Sequence, residues 1–445
     1  MREVSNSMGY VKNDGLDFAR AFFIAAAFTS SFDIFLVFKI GFNFRVSQIL
    51  LLIPIGFAIV KAVHHRVIWP LAFGWLVLWT IFIIAFVPNT SFLVRSMGYA
   101  AWLVFDVFDI FACVQLFPTP TKVLSLVRWY VYSFVFVATF GLVQFVSPLA
   151  GLGDTLLVTQ WWIPDILPRI NGFSYEPSFF STYLLMGWVV CAYLMESKAT
   201  LFARTHLQFY FFIISLSLVL CSSRMGILMM LIWYSQYPLR FIGYLATGSV
   251  HKRFARISLI LFGMAMLLIG VVIYSVGFDE ILFLFDGIGI FGRASHSVDI
   301  RTDSMMDTLS LFMNSPFVGY SLGGIGPAIA EMHGVTNIDF ETVKVFEGNS
   351  IFMEVLAASG IFGVIPFVMF VLHIVRKPFL LARRLTSEQS KILVALTLSL
   401  IFEFAILQFN QVILRPYLWM HIAVLAACYS TFKLHGCVAM EKGIA

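Results

Sequence analysis

Charged residues are scarce in this chain. Only 12% of its 445 residues are Asp, Glu, Lys or Arg, whereas 60% are hydrophobic. A soluble globular protein carries roughly 25% charged residues, so this composition excludes an ordinary soluble domain. The formal net charge of +5 is better explained by basic loops on the cytoplasmic side of a membrane than by binding of nucleic acid.

Cysteine is also scarce, and the motifs of soluble enzymes are missing. The five cysteines lie in or near apolar runs without Cys-x-x-Cys spacing, so neither a disulfide framework nor a zinc site is indicated. The sequence contains no His-Glu-x-x-His, no Gly-x-Ser-x-Gly and no protein-kinase signature. The stretch "GYSLGGIGP" lacks the flanking strand and the Lys-Ser/Thr ending of a nucleotide-binding loop, so it is interpreted as a turn.

Long apolar runs dominate the sequence instead. A helix needs about 20 apolar residues to cross a hydrocarbon core of about 30 Å. A barrel is excluded, because barrel strands alternate apolar and polar residues over about 10 positions. The runs predict an all-α polytopic membrane protein with about twelve transmembrane helices, near residues 20–39, 47–63, 67–87, 92–116, 125–147, 177–195, 207–221, 225–247, 257–277, 351–375, 391–413 and 416–432.

The distribution of Lys and Arg orients these spans, because basic residues concentrate in cytoplasmic loops. The loops that carry Lys198 and Lys252 must lie on the same side, so an even number of spans separates them. The chain must therefore turn on the outer side at Ser222-Ser223-Arg224. This count predicts that both termini are cytoplasmic.

The basic residues left on the outer side are mostly arginines. Orientation needs only positive charge and does not explain this bias. The planar guanidinium group suits bidentate binding of phosphate or carboxylate. The outer basic residues are Arg45, Arg95, Arg169, Arg224, Arg293, Arg301 and Arg415, with Lys39 and Lys344.

The longest outer segment lies between the ninth and tenth spans. We interpret residues 1–445 as a single integral membrane domain, with residues 278–350 as a large outer loop within it. Inside this loop Met305, Leu309 and Phe312 recur at helical spacing, which predicts a short amphipathic helix on the membrane surface.

Unusual polar groups occur at four places on the outer face. They are Arg169 with Asn171 and Glu176, Arg224 at the turn between spans seven and eight, Arg301 in the large loop, and the stretch "VFEGNSIFMEVLAASGIFGVIPF", which contains Glu347 and Asn349 and enters the tenth span.

These residues, in this order, resemble the O-antigen polymerase and O-antigen ligase superfamily of bacterial envelope enzymes. In that superfamily a large outer loop begins near an arginine, passes a proline- and glycine-containing turn, and ends in His-Asn/Ser/Gln followed after nine residues by Gly-x-x-Gly. Arg301, then "SPFVGYSLGG", then Asn349-Ser350 with Gly360 and Gly363 follow this order. "CSSRMG" and "RINGFSYEPSFFSTYL" resemble further family segments, the latter in the form seen in exopolysaccharide polymerases. The resemblance spans about residues 165–430.

The resemblance implies a membrane glycosyltransferase of the C type, independent of metal ions and nucleotide cofactors, at the periplasmic face of the bacterial inner membrane. Its substrate would be a glycan on undecaprenyl diphosphate. Membrane lipids, a chain-length regulator and a flippase of the same pathway are the other expected partners. The family's ligases have a histidine where this chain has Asn349, and asparagine cannot act as a general base. This departure favours a polymerase of oligosaccharide repeat units over a ligase that transfers glycan to a lipid A core.

The chemistry of such a transfer predicts roles for the polar residues. The leaving group is a lipid diphosphate, and fixed arginines would stabilise its growing negative charge. Arg224, Arg301 and Arg169 are therefore predicted to bind the diphosphate, and Asn349 belongs to the same substrate-binding set. A carboxylate would accept the proton of the acceptor hydroxyl. Glu176 is the predicted base, and Glu347 is the alternative.

Structural roles remain open for the same residues. Arg169 and Glu176 could form an ion pair at a helix start, Asn349 could cap the tenth span, and Gly360 and Gly363 could be close-packing positions.

Two further interpretations concern other outer residues and the class of protein. Asp33, near the outer end of the first span, could pair with an outer arginine, and Arg415 in a short outer turn could be structural.

A flippase for lipid-linked sugars is the rival class of protein, since it would also bind a diphosphate. It would not need a carboxylate beside outer arginines.

Overall fold

The structure is a computed structural model that describes residues 13–40, 42–151, 156–163, 167–246, 295–343, 346, 348, 350–409 and 413–441. The chain divides into two compact units, Met1–Cys221 with Ser304–Ala445, and Ser222–Asp303.

The first unit consists mainly of long helices, with two short antiparallel hairpins that the apolar pattern did not predict. Up to Cys221 its elements are α1 (Asn13–Phe28), β1 (Val37–Ile40), β2 (Phe42–Arg45), α2 (Val46–His64), α3 (Phe73–Ala85), α4 (Leu93–Leu116), α5 (Pro120–Val146), β3 (Gln160–Ile163), β4 (Leu167–Arg169), α6 (Pro177–Glu196) and α7 (Arg204–Leu220). In the hairpins Val37 pairs with Arg45 and Gln160 pairs with Arg169.

The remaining helices follow the turn after α7. The second unit contains α8 (Arg224–Ala246) and the first part of α9 (Ser295–Asn314). The later elements of the first unit are a 3-10 turn (Leu322–Gly324), α10 (Ile325–Met332), α11 (Phe340–Val343), α12 (Ile351–Ala382), α13 (Ser387–Ile406) and α14 (Pro416–Glu441).

The prediction of an all-α polytopic membrane protein is confirmed. Six described helices are long and apolar enough to cross a membrane, namely α2, α4, α5, α6, α12 and α13, and Phe73–Asn89 and Arg204–Leu220 are shorter apolar helices. Ten of the twelve predicted spans overlap described helices over most of their length, and the ninth, 257–277, lies outside the described residues. The bounds of the first span, 20–39, are wrong: its helix ends at Phe28, and the apolar residues after it include the strand Val37–Ile40. The predicted interruption at Ser222-Ser223-Arg224 is confirmed, since Ser222 has a φ of 56° between α7 and α8, and its place on the outer side stays a prediction.

The two ends of the first unit carry different basic residues. At one end, residues of the predicted cytoplasmic loops bind backbone carbonyls: Lys61 Nζ donates to Gln115 O, and Lys391 Nζ donates to Lys198 O at 3.2 Å. At the other end the starts of α2, α6, α12 and α14 meet the ends of α1, α7 and α13. The positive-inside rule predicts that this second end faces outward, which stays a prediction, and we call it the outer end.

Helix α6 lies at the centre of the first unit and is buried on almost every side. Trp188 is fully buried and its indole N–H donates to Ser215 Oγ of α7 at 2.8 Å. Ser399 Oγ of α13 donates to the carbonyl of Met186 at 3.0 Å. Close packing against α5 requires Gly187, because a Cβ there would lie 2.3 Å from Phe134 Cγ. The predicted base Glu176 thus precedes a helix that is buried along most of its length.

Helix α12 is broken at Gly360, and the break holds the preceding loop. Gly360 has φ 58° and ψ −170°, a conformation that suits glycine alone. The neighbouring N–H of Ile361 donates to Pro316 O at 2.8 Å, and the N–H of Ser321 donates to Ala358 O at 2.8 Å. A Cβ at Gly360 would lie 2.3 Å from the carbonyl carbon of Phe317. The close-packing interpretation of this glycine is confirmed.

Helix α9 coincides with the predicted amphipathic helix of the large outer segment. Thr308 and Leu311 are buried, whereas Met306, Leu309 and Met313 are exposed. The helix therefore has one covered face and one exposed apolar face, and its place on the membrane surface stays a prediction.

Candidate functional site

The turn "RINGFSYEP" between β4 and α6 is built by buried amides. Asn171 is fully buried, and its side-chain N–H donates to Ser174 O at 2.7 Å. Gln144 of α5 accepts from the N–H of Gly172 at 2.7 Å and donates to its carbonyl at 3.0 Å. Gly172 has a φ of +57°, and a Cβ there would lie 2.5 Å from Phe180. Asn171 is therefore a structural residue of the turn, which sets the start of α6.

Arg169 joins this turn to the turn after α7. Its Nε donates to the carbonyl of Cys221 at 3.1 Å, and its Nη1 donates to Gln160 Oε1 at 2.9 Å. Cys221 opens the "CSSRMG" segment, so two segments that the sequence analysis singled out separately are in direct contact.

Glu176 is the N-cap residue of α6. Its backbone is extended, with φ −129° and ψ 148°, and Pro177 occupies the first helical position. The half-buried carboxylate accepts a hydrogen bond from Ser178 Oγ at 2.9 Å. In the described contacts Arg169 and Glu176 each have other partners, so the contacts do not favour an ion pair between them.

The other predicted site residues are described less fully. Arg224 begins α8 in the second unit, directly after Ser223, whose Oγ accepts from the N–H of Gly226 at 3.4 Å. Arg301 lies within α9, and its side chain is outside the described part of the chain. Glu347 and Asn349 also lie outside the described residues. The roles predicted for these four residues stay predictions.

Asp33 is the centre of a buried ion cluster at the outer end. Its carboxylate lies 2.8 Å from Arg45 Nε and 3.3 Å from Arg415 Nη1, and the Asp33 side chain is 3% exposed. The guanidinium of Arg415 also lies 3.7 Å from the ring centroid of Phe179 in α6. The N–H of Asp33 donates to Phe173 O at 3.0 Å. These contacts confirm the predicted pairing of Asp33 with an outer arginine and give Arg415 a structural role.

A small pocket of about 20 Å³, room for about one water molecule, opens beside the start of α12. Arg95 and Glu354 are 5% and 6% exposed, so both charged side chains in its wall are buried. Arg95 Nη1 donates to Gly323 O and Nη2 donates to the Tyr99 hydroxyl, each at 2.9 Å. The lining residues are Arg95, Tyr99, Leu322, Ile325, Gly326, Gly348, Glu354 and Ile413.

No motif in the sequence predicts this pocket. Arg95 belongs to the set of outer arginines, and the sequence assigns it no particular role. A signal for Glu354 was available, because an acid within an otherwise apolar span is a functional candidate by default. The pairing of residues 95 and 354 across the chain could not be seen from spacing.

The fold and these clusters define a multi-pass membrane protein that gathers buried polar groups at one end. A family model described as O-antigen ligase matches residues 209–368. The match includes the "CSSRMG" turn, Arg301 and the Gly360 break, and it confirms the resemblance to the O-antigen ligase and polymerase superfamily for this part of the chain. Among curated proteins, none matches the sequence.

Members of the matched family are glycosyltransferase-like enzymes that act as ligases or polymerases. The match therefore supports a function of the O-antigen ligase or polymerase type in the broad sense, with a lipid-linked glycan as the class of substrate.

Proposed function

We propose that the chain polymerises undecaprenyl-diphosphate-linked oligosaccharide repeat units into a surface polysaccharide, such as an O-antigen, a capsule or an exopolysaccharide. The reaction would occur at the periplasmic face of the bacterial inner membrane. The contact between Arg169 and Cys221 is the observation that carries the proposal. It joins the polymerase-like "RINGFSYEP" turn, outside the matched residues, to a segment inside them.

In the proposed reaction a hydroxyl of one repeat unit attacks the anomeric carbon of the growing glycan. A carbon–oxygen bond forms there as the bond to the carrier diphosphate breaks, and undecaprenyl diphosphate leaves. The hydroxyl proton passes to the Glu176 carboxylate. Arg169, Arg224 and Arg301 stabilise the charge that grows on the diphosphate, because fixed cations at the membrane boundary need no reorganisation as the charge develops.

The position of Glu176 supports its role as base. Glu176 is the N-cap residue of α6, and the well-packed helix fixes its backbone. Ser178 in the first turn of α6 donates a hydrogen bond to its carboxylate, which limits the movement of that group. The proton acceptor is therefore positioned by the fold, as a general base must be.

Asn349 favours repeat-unit polymerisation over the ligase alternative, because the family's ligases have histidine at that position. Deletion of the gene distinguishes the outcomes. We expect single repeat units to accumulate on the carrier. Full-length polymer retained on the carrier would indicate a ligase, and repeat units retained in the cytoplasmic leaflet would indicate a flippase.

The arginines can be tested in the same strain. Arg224→Ala and Arg301→Ala should abolish polymer formation while protein levels in the membrane persist, and lysine should rescue poorly because it lacks the bidentate fork. Arg384→Ala, at an exposed position, is the matched control. Polymer formation at the wild-type level by both lysine variants would show that Arg224 and Arg301 serve only to orient the spans in the membrane.

The proposal includes the membrane arrangement. Residues 1–445 act as one membrane domain with cytoplasmic termini, and loop 278–350 faces the periplasm, where a chain-length regulator and a flippase of the pathway would meet the enzyme. A cysteine introduced at Ser295 should react with an impermeant reagent in spheroplasts. Labelling only after the inner leaflet is permeabilised would overturn this topology.

A further inference from the structure

We propose that a basic cluster at the end of α4 binds the phosphate group of an anionic phospholipid. The cluster consists of Arg20 in α1, Lys61 in the last turn of α2 and Lys122 in the first turn of α5. It lies at the end of the first unit opposite to the outer end. The inference concerns a lipid-binding site and does not depend on the proposed polymerase activity.

Two of the three cations bind the same short piece of backbone. Arg20 Nε donates to Leu116 O at 2.7 Å, and Lys61 Nζ donates to Gln115 O. These carbonyls belong to the last turn of α4, where the final four carbonyls have no partner within the helix. Because the two acceptors are consecutive in the chain, the guanidinium and the ammonium groups are held close together.

Lys122 completes the cluster from the following helix. It lies close enough to Arg20 and Asp17 for their charges to interact, and Lys61 interacts in the same way with Arg20 and Lys122. Each cation therefore experiences repulsion from the other two. Among the described groups that act on the cluster, Asp17 is the carboxylate, and it pairs with Arg20. Three positive charges and one negative charge leave an excess that an anion would compensate.

The cluster also has N–H donors that the described part of the chain does not use. An ammonium group has three donors, and Lys61 Nζ has one described acceptor. Lys122 has no hydrogen-bond partner among the described residues. A phosphate supplies both the negative charge and several acceptor oxygens, and charge-assisted hydrogen bonds from Lys and Arg are its usual contacts. The ligand class that fits the cluster is therefore a phosphate.

The surroundings indicate that the cluster lies at the level of the lipid headgroups. The Gln115 amide donates to Ile68 O and accepts from the Ile68 N–H, so the loop after α2 is fixed beside the cluster. The next residue, Trp69, is largely exposed, and tryptophan concentrates at the boundary between hydrocarbon and water. Phe18, two residues before Arg20, is also exposed and offers apolar surface to an acyl chain. A lipid phosphate fits this environment better than a free anion.

The convergence of the cations distinguishes a binding site from charges that only orient the spans. Orientation requires an excess of Lys and Arg in the cytoplasmic loops, and it does not require cations from three helices to meet at one point. Basic sites between transmembrane helices bind the headgroups of anionic lipids. A phosphate bound here would link α1, α2 and α5 at the end of α4.

The test measures thermal unfolding of the purified full chain in a neutral detergent with added dioleoylphosphatidylglycerol or dioleoylphosphatidylcholine. Phosphatidylglycerol should raise the unfolding temperature of the wild type, because a ligand that binds the folded state stabilises it, and phosphatidylcholine should raise it less. The double variant Lys61→Gln/Lys122→Gln should need at least about tenfold more phosphatidylglycerol for the same shift. The matched control Lys377→Gln/Arg384→Gln removes two exposed charges from another predicted cytoplasmic loop and should respond as the wild type does.

Three results would overturn the proposal. They are a wild-type response in the Lys61→Gln/Lys122→Gln variant, equal stabilisation of the wild type by the two lipids, and an equal shift with inorganic phosphate, which would show a site for free anions. If Lys61→Gln prevents folding, Lys122→Glu alone replaces the double variant, since this residue has no described hydrogen bond to lose. Reversal of its charge should weaken the response to phosphatidylglycerol by a similar factor, and an unchanged response would again overturn the site.

Discussion

Two buried arginine sites at the outer end differ in what surrounds the cation. In the Asp33 cluster, Arg45 and Arg415 converge on one carboxylate, and the Phe179 ring lies against Arg415. In the Arg95–Glu354 pocket, the cation binds a backbone carbonyl and a phenol and shares a cavity with a second charge. In the first arrangement opposite charges pair with one another, and in the second the described contacts of the arginine are to neutral groups of the protein.

This difference shows that an excess of outer arginines does not define one role. A buried charge is tolerated when a partner compensates it, and the partner can be another side chain or a ligand. The Asp33 cluster fastens the first hairpin to the starts of α6 and α14. The pocket keeps its charges at the wall of a cavity. Substitutions in the Asp33 cluster and in the Arg95–Glu354 pocket should therefore have different effects on the protein.

The largest effect on stability is expected for Asp33→Ala. This change leaves the nearly buried Arg415 and the partly exposed Arg45 without their shared carboxylate, which should cost about 3 kcal/mol. The thermal unfolding transition of the purified protein in detergent is the measurement. Glu354→Gln, which keeps the shape of the pocket wall, should unfold much closer to the wild type. Equal losses for the two variants would remove the distinction between the sites.

A smaller loss of stability is expected for Gly360→Ala, which disturbs the pocket without touching its lining. The new Cβ would collide with the backbone of Phe317, and the residue would keep a strained conformation, at a cost of about 1–3 kcal/mol. Gly56→Ala in α2 is the matched control, since a Cβ there meets nothing within 4 Å. We expect Gly360→Ala, and not Gly56→Ala, to lower the unfolding transition. Wild-type values for Gly360→Ala would show that the break does not support the pocket wall.

The smallest effect is expected for Phe179→Leu, which alters the Asp33 cluster and leaves the Arg95–Glu354 pocket unchanged. It removes the ring below Arg415 and keeps an apolar side chain, so the loss of the cation–π contact should cost about 1 kcal/mol. The unfolding transition should fall slightly, by much less than in Asp33→Ala. A loss as large as that of Asp33→Ala would mean that the ring of Phe179, rather than the carboxylate, is the main partner of Arg415.

The sequence predicted the helices and the local signals well. The length of the apolar runs predicted most of the spans, and the distribution of Lys and Arg predicted the interruption at Ser222. The cost of burying the Asp33 carboxylate predicted an arginine partner. Each of these follows from residues that are close in the chain or from a charge that must be compensated. The sequence also placed Glu176 at the start of α6 through Pro177.

The pocket could not be predicted in the same way. Arg95 and Glu354 are far apart in the chain, and only the break at Gly360 and the docking of residues 316–321 bring their segments together. The two hairpins were missed because each strand has only three or four residues. Long-range contacts of this kind leave no periodic pattern in the sequence.

The most direct test of the account is extension of lipid-linked repeat units by the purified wild-type protein and by Glu176→Gln. The account predicts that the wild type makes longer carrier-linked chains and releases undecaprenyl diphosphate. The Gln variant should be slower by about two to four orders of magnitude, the usual contribution of a positioned base, with nearly unchanged donor binding. Near-wild-type turnover by Glu176→Gln would contradict the role of Glu176. A wild-type protein that extends no chain but transfers finished glycan to a lipid A core would contradict the polymerase itself.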